Sequence, residues 1–286
     1  MNSYVCITGS CGVLGRTFAK QCAERGWSLL LTDMDEHNLD KLTAELSDAY
    51  TVDIKYFPCD LTNDIQRDGL YQSLETAGVK IWMVINVAGL DHEGKFMDRP
   101  RNQLREIIKI NIESTTETIH ACIGMRDGAK PFRIITVASL AGYYSMPYKA
   151  TYAASKSFLI FLTRAIGEEL RPAGGSSTVL CPAGLRTRPD AIKAIEAQGI
   201  WGKLTTVETE QVVKSTLNAA LKGRAVVIPG RINRILHKVS LCLPACWKTK
   251  AIHRKWMLAH AKKKKLRSKE VLYTGQVRGT ADLGSL

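Results

Sequence analysis

The sequence predicts a doubly wound α/β domain, a parallel sheet of about seven strands with helices on both faces and a basic helical extension after it. Three observations carry that expectation. Short apolar runs alternate with helical stretches of about ten or more residues, the rhythm of strands joined to parallel neighbours through crossover helices. A glycine-rich turn, residues 8–15, joins the first run to the first helix. Several runs end on polar residues, Asp33, Asn86 and Ser139 among them, and open α/β sheets bind ligands at the carboxyl ends of their strands.

Tyr4 to Thr8 is the first strand, and a helix follows from about Leu14 to Arg25 until Gly26 stops it. Ser28 to Thr32 is the second strand, closed by Asp33. Leu39, Leu42 and Leu46 recur at helical spacing, so Glu36 to Leu46 is the second helix. Val52 to Phe57 is the third strand; Cys59-Asp60-Leu61-Thr62 follows it, then a helix to about Ala77. Ile81 to Val87 is the fourth strand and runs into Asn86-Val87-Ala88-Gly89. Asn102 to Arg126 reads as one long helix, and Phe132 to Ala138 as a fifth strand ending at Ser139. The next helix, about Tyr148 to Leu170, stops at Pro172 and the glycines behind it. Ser176 to Cys181 is the sixth strand and Ala225 to Ile228 the seventh, with a helix near Glu210 to Leu221 between them.

The 286 residues, 45% hydrophobic and 23% charged, suit one large domain over 1–230 rather than two small ones. Met1 to Gly9 has neither the basic start nor the cleavage site of a secretory signal. Eight cysteines are scattered through strand and helix positions, which predicts reduced thiols in a cytoplasmic protein. Cys242 and Cys246, with His253 and His260 beyond, lack the tight paired spacing of a zinc site, so no metal is expected. No apolar run reaches the ~20 residues of a membrane span. Charge is uneven: residues 231–270 hold thirteen Lys and Arg against one acid, Glu270, so nearly all of the net +13 sits there. Residues 271–286, with Gly275, Gly279 and Gly284, are expected to be a disordered tail.

Tyr152 and Lys156 stand four apart on one helix, where side chains are neighbours. An ammonium beside a phenol favours the phenolate and lowers its pKa toward the working range. Such a phenol can give a proton to a carbonyl oxygen or take one from an alcohol. Upstream, the glycines of 8–15 let backbone amides approach a pyrophosphate at a helix amino terminus, and Asp33, eighteen residues after Gly15, is placed to accept from ribose hydroxyls.

On these residues the chain resembles the short-chain dehydrogenase/reductase family over about residues 3 to 230. The family's glycine motif, Thr-Gly, three residues, Gly, one residue, Gly, is met at Thr8, Gly9 and Gly15, but Val13 stands at the middle glycine and Gly12 comes one place early. Asn86-Val87-Ala88-Gly89 matches Asn-Asn-Ala-Gly. Pro182-Ala183-Gly184-Leu185-Arg186-Thr187 is similar to Pro-Gly-x-x-x-Thr, with Ala183 in place of glycine. The resemblance implies a Rossmann-type fold holding a nicotinamide dinucleotide against Gly9, Ser10, Gly12, Leu14 and Gly15. It implies Asp60 and Leu61 at the adenine, Asn86, Ala88 and Gly89 along the cleft, and Pro182 and Thr187 at the nicotinamide. Asp33 would repel a 2′-phosphate, and neither Met34 nor the Cys11-Gly12 turn supplies a cation, so NAD is expected over NADP; Arg16 starts a helix and is expected to face solvent.

The same resemblance implies a catalytic group for interconverting a secondary alcohol and a ketone. Tyr152 is its general acid/base, Lys156 lowers the pKa of Tyr152 and binds the nicotinamide ribose, Ser139 holds the substrate oxygen, and Asn111 holds a water in the proton path. Leu90 to Phe96, Tyr143 to Tyr148 (Tyr144 foremost) and Pro189 to Leu204 are candidate walls for an apolar substrate such as a steroid or acyl-lipid. For 189–204, a lid over the ligand and a helix packed on the core are both open. Homodimers or homotetramers are the family's habit. The rival class is a catalytically silent nucleotide-binding regulator or a membrane-surface adaptor of the same fold. Residues 231–267 interleave cations with apolar side chains. That composition fits a solvated face or an amphipathic helix on anionic lipid at the inner membrane surface, and nucleic acid less well.

Overall fold

A computed structural model describes residues 2–185 and 206–258 of the chain. The strands are β1 (Ser3–Thr8), β2 (Leu29–Asp33), β3 (Ile54–Pro58), β4 (Lys80–Asn86), β5 (Arg133–Val137), β6 (Ser176–Leu180) and β7 (Val226–Val227). They form one sheet in the order β3-β2-β1-β4-β5-β6-β7, parallel throughout. The chain winds outward from β1 to β3, then returns to the other side of β1 at β4. Between β1 and β4 the winding reverses, and the carboxyl ends of strands at such a point are where open α/β sheets bind ligands.

Strand alternation sorts the core into two layers. Val5 and Ile7 of β1, Leu29 and Leu31 of β2, and Met83 and Ile85 of β4 face one side. There they meet Phe18 of α1 (Val13–Ala23), Leu39 of α2 (Glu36–Ala49) and Leu217 of α7 (Thr209–Leu221). Tyr4, Cys6, Leu30 and Val84 face the other, against Leu70 of α3 (Asp64–Thr76) and Ile119 of α5 (Ser114–Gly124). Burying each such aliphatic or aromatic side chain is worth about 1.5–3 kcal/mol, so both faces hold helices firmly.

Helix starts follow their caps. Asp35 accepts from Asn38 N at the head of α2, and Asn63 accepts from Ile65 N and Gln66 N at the head of α3. The buried Arg67 of α3 ties the loop after β3 to the helices behind it. It donates to Leu61 O at 2.8 Å and pairs with Glu113 at 3.0 Å and Glu117 at 2.5 Å.

The expected single helix over Asn102 to Arg126 is interrupted. α4 (Arg101–Ile108) and α5 are joined by a π-helical turn, Lys109–Glu113. A wider turn of this kind adds one residue per turn without any hydropathy signature, and here it carries Asn111 into the interior, fully buried. α6 (Ala150–Leu170) then crosses behind β5 and β6.

After β7, α8 (Arg231–Leu241) and α9 (245–258) leave the sheet and fold back over the loop that precedes α6. The Tyr143 ring lies 4.3 Å from that of His237, and Tyr148 stacks on His253 at 6.0 Å. Ser240 Oγ gives its proton to His237 O, so the Tyr144 hydroxyl donates to Ser240 Oγ at 2.8 Å. Among the described residues no helix is long and apolar enough to cross a membrane. All eight cysteines are free thiols. The expected disordered tail, 271–286, and the candidate lid, 189–204, lie outside the described residues.

Candidate active site

The turn after β1 is built by close backbone approach. Gly9 has φ +65°, and a Cβ there would sit 2.7 Å from Ala88 N; a Cβ on Gly15 would overlap the carbonyl oxygen of Gly9. Gly12 is different. Its φ of −68° is open to any residue, and a Cβ would meet nothing nearer than Gly9 O at 3.6 Å. The turn itself therefore needs Gly9 and Gly15, whereas Gly12 keeps the outer surface bare. Val13 and the buried Leu14 open α1, whose first amides receive no side-chain cap, unlike those of α2 and α3. Ser10 is buried and donates to Thr32 O at 3.2 Å, which pins the turn to β2.

Asp33 reaches back to this turn, its Oδ2 accepting from Cys11 N at 2.9 Å and its Oδ1 from Asp35 N at 3.3 Å. Each carboxylate oxygen has two lone pairs, so room remains for two further donors. Arg16, expected to face solvent, instead folds over the turn. It donates to Cys11 O at 3.2 Å and pairs with Glu45 at 3.3 Å, because the first turn of α1 lies against α2. Asp60 caps its own loop by accepting from Thr62 N and Thr62 Oγ1 at 2.9 and 2.8 Å, and Leu61 is buried beside it. Asn86 ends β4 buried, with neither side-chain atom hydrogen-bonded. A buried amide left so is expensive, and it lies at the carboxyl end of β4, opposite Thr8 of β1.

The second group lies on α6 and the strand ends beside it. Lys156 is 5% exposed and donates to Val137 O, the last residue of β5, at 2.9 Å. Burial pulls its ammonium down from 10.5 to about 8, with Asp91 and then Cys181 resisting. Its Nζ lies 5.8 Å from the centre of the Tyr152 ring, so the helix does bring the two together. A second ammonium, Lys149 Nζ, lies 5.5 Å from that same ring and is bonded to Asp91.

Asn111 Oδ1 accepts from Leu90 N at 2.9 Å; its Nδ2 donates to Leu90 O at 3.0 Å and to Ser155 Oγ at 2.9 Å. Ser155 in turn donates to Tyr152 O at 2.8 Å, so a chain of hydrogen bonds runs from the π turn to the backbone of Tyr152. Gly89 lets this group close up, since a Cβ there would lie 2.9 Å from Asn111 Oδ1 and 3.3 Å from Lys156 Nζ. Ser139 follows β5, and its Oγ accepts from Ala141 N at 3.1 Å to open a 3₁₀ turn, Leu140–Tyr143. Gly142 lets that turn press on the Lys156 backbone. Leu140 N donates to the buried Pro182 O at 2.9 Å, so the segment after β6 is held on the same side. Thr187 lies outside the described residues.

The expected residues thus gather along one edge of the sheet, with Asp60 and Leu61 at one end and Pro182 at the other. Tyr144 stands apart, its hydroxyl engaged by α8. Three contributors escaped sequence reasoning. Lys149 and Asp91 form an ion pair across 58 positions, and only the i, i+3 spacing of Lys149 to Tyr152 was readable. Ser155 hid inside the Tyr-to-Lys interval. A cavity of about 500 Å³ lined by Trp27, Trp82, Lys130 and Arg133 lies at the opposite, amino-terminal strand ends, away from all these groups.

A family model described as short chain dehydrogenase matches residues 3–197. A very-long-chain 3-oxoacyl-CoA reductase of Bos taurus is 26% identical over 251 residues, 86% of this chain and 77% of that protein. The protein of the same name from Podospora anserina is 30% identical over 175 residues, 60% of this chain, and the match spans 52% of its length. A short-chain dehydrogenase from Sphingobium yanoikuyae, solved in complex with NADPH, is 25% identical. It superposes with a TM-score of 0.70, covering 90% of this chain and 95% of the other.

Proposed function

The chain belongs to the short-chain dehydrogenase family, and from that premise we propose that it reduces a ketone, or oxidises the matching secondary alcohol, with NAD rather than NADP. The observation that carries this reading is the buried Lys156 ammonium beside the Tyr152 ring, with Asn111 bonded through Ser155 to the backbone of Tyr152.

A nicotinamide dinucleotide fits the residues present. The bare surface of Gly12, the uncapped amides at the head of α1 and the unsatisfied amide of Asn86 all face needs that phosphates and sugar hydroxyls meet. Gly9 to Gly15 would hold the pyrophosphate, and Asp33 the adenosine ribose. Asp60 and Leu61 would flank the adenine; Asn86, Ala88, Gly89, Pro182 and Lys156 would line the nicotinamide half. When bound, the group supplies or accepts the hydride. Asp33 puts a negative charge where a 2′-phosphate would sit, and the nearest cation, Arg16, is already paired with Glu45.

In the reductive direction the substrate oxygen accepts from Tyr152 and Ser139, and Tyr152 Oη hands over its proton as negative charge builds there. The Lys156 ammonium stabilises the phenolate left behind. Proton return runs through Lys156 Nζ and a water held by Asn111. A Lys156 poised at about 8 exchanges protons readily near neutrality. The names of the relatives and the exposed Phe96 and Met97 support an acyl chain on the carbonyl substrate, with 3-oxoacyl thioesters the first class to try.

Oxidation of NADH and NADPH with a graded set of ketones, from small polyol-derived ones to long 3-oxoacyl thioesters, tests the reading. The expected result is NADH preferred, with kcat/KM rising with chain length; no turnover of any ketone with either coenzyme would leave a silent nucleotide-binding protein. The glycines give a separate check. Gly15→Ala is expected to lose about 1–3 kcal/mol of stability in a denaturant titration, because its Cβ meets fixed backbone. Gly12→Ala is expected to keep wild-type stability within about 0.5 kcal/mol yet bind NADH more weakly.

A further inference from the structure

We propose that α8 and α9 form a docking surface for an anionic lipid bilayer. The orientation of α8 is the first ground. Its inward face is polar, with Asn233 buried and His237 and Ser240 turned to the tyrosines of the loop before α6. Its outward face carries the aliphatic stripe: Ile235 is 61% exposed, Leu236 47% and Val239 58%. On α1 and α2 the order is the reverse, with Phe18, Leu39 and Leu42 inside. A helix that spends its polar side chains on the protein and turns its apolar ones outward has a second apolar medium to meet.

Charge identifies that medium. On a helical wheel Arg231, Arg234 and Lys238 border the α8 stripe, and all three are exposed. α9 repeats the mixture, with Trp247, Met257 and Leu258 exposed among Lys250, Arg254 and Lys255. Cations flanking an apolar stripe, with a tryptophan at its rim, are what a helix lying in the headgroup region of anionic lipid requires. Two copies of this surface would repel each other, given seven cations and no acid over 231–258. Nucleic acid would satisfy the cations but leave Ile235, Leu236 and Val239 in water. Lipid is the one partner that uses both.

Because α8 and α9 rest on Tyr143, Tyr144 and Tyr148, a few residues before Tyr152, the bilayer would lie beside the candidate site. That matters for an apolar carbonyl substrate only if the dehydrogenase reading holds; the docking surface stands without it.

The test is sedimentation of the full chain with extruded phosphatidylcholine vesicles, with and without about a third phosphatidylglycerol, no coenzyme or substrate being present. Binding to the anionic vesicles is expected, at least tenfold weaker on neutral ones and in high salt. The double variant Ile235→Glu with Val239→Glu is expected to bind at least tenfold more weakly, with the melting temperature and ketone turnover in detergent-free buffer unchanged. Should that variant fold poorly, Trp247→Glu on the other helix is expected to weaken binding in the same direction. Absence of vesicle binding, equal binding by folded variants, or binding of duplex DNA in place of vesicles would each overturn the proposal. Vesicle binding without any turnover would instead remove the enzymatic reading and leave the surface in place.

Discussion

Tyr152→Phe is expected to lower kcat for ketone reduction by about two to four orders of magnitude, the range over which a positioned general acid acts. The substitution removes one oxygen and leaves the ring and the backbone of residue 152 in place. The ring stays near Lys149 and Lys156, whose ammonium groups lie 5.5 and 5.8 Å from its centre. The Ser155 bond to residue 152 is to the backbone oxygen and survives. Melting temperature and NADH affinity are therefore expected to match the wild type, which separates lost chemistry from lost structure. A variant that turns over ketone as fast as wild type would show that another group gives the proton.

Lys156→Met is expected to do two opposite things: reduce kcat by about two orders of magnitude or more, and make the protein more stable at neutral pH. The activity falls because nothing then stabilises the Tyr152 phenolate or returns its proton. The stability rises because a buried ammonium is costly. Its folded value of about 8 lies below the ordinary 10.5, so between those two pH values the unfolded chain holds a proton that the folded chain has released. Wild-type stability accordingly climbs as pH rises from about 8 to 10.5, and below 8 the full penalty is present. At about 1.4 kcal/mol per pH unit that penalty is about 3 kcal/mol, and losing the Nζ bond to Val137 O returns about 1. A gain of about 2 kcal/mol at pH 7, shrinking toward pH 10.5, is expected from denaturant titrations across that range. A variant less stable than wild type at pH 7 would mean that the amine is better solvated than its surroundings imply. A site residue retained at such a cost fits the trade of stability for activity.

Much of this arrangement was legible beforehand. Each strand lies within about two residues of its expected place, since a short apolar run with polar ends is a local signal. Tyr152 and Lys156 were paired by helical spacing alone, and Gly9 and Gly15 by the turn they must make. What stayed hidden came from contacts between distant segments. Arg16 looked solvent-facing because nothing in its neighbourhood announces Glu45 of α2. The π turn at Lys109–Glu113 has no hydropathy mark, yet it decides that Asn111 points inward to Leu90 and Ser155. Tyr144 is a candidate for the substrate wall, and nothing near it in the chain announces that its hydroxyl meets Ser240 of α8.

By itself, then, the order of residues determined the sheet, its helices, the bare turn at the head of α1 and the two groups placed one helical turn apart on α6. Those depend on spacing, sterics and hydropathy over a few residues. Tertiary structure alone decided which lysine is buried, that a second one paired with Asp91 flanks the same tyrosine, and which side of α8 faces water. Burial and charge pairing are set by whatever folds against a residue, and along this chain those neighbours lie tens of positions away.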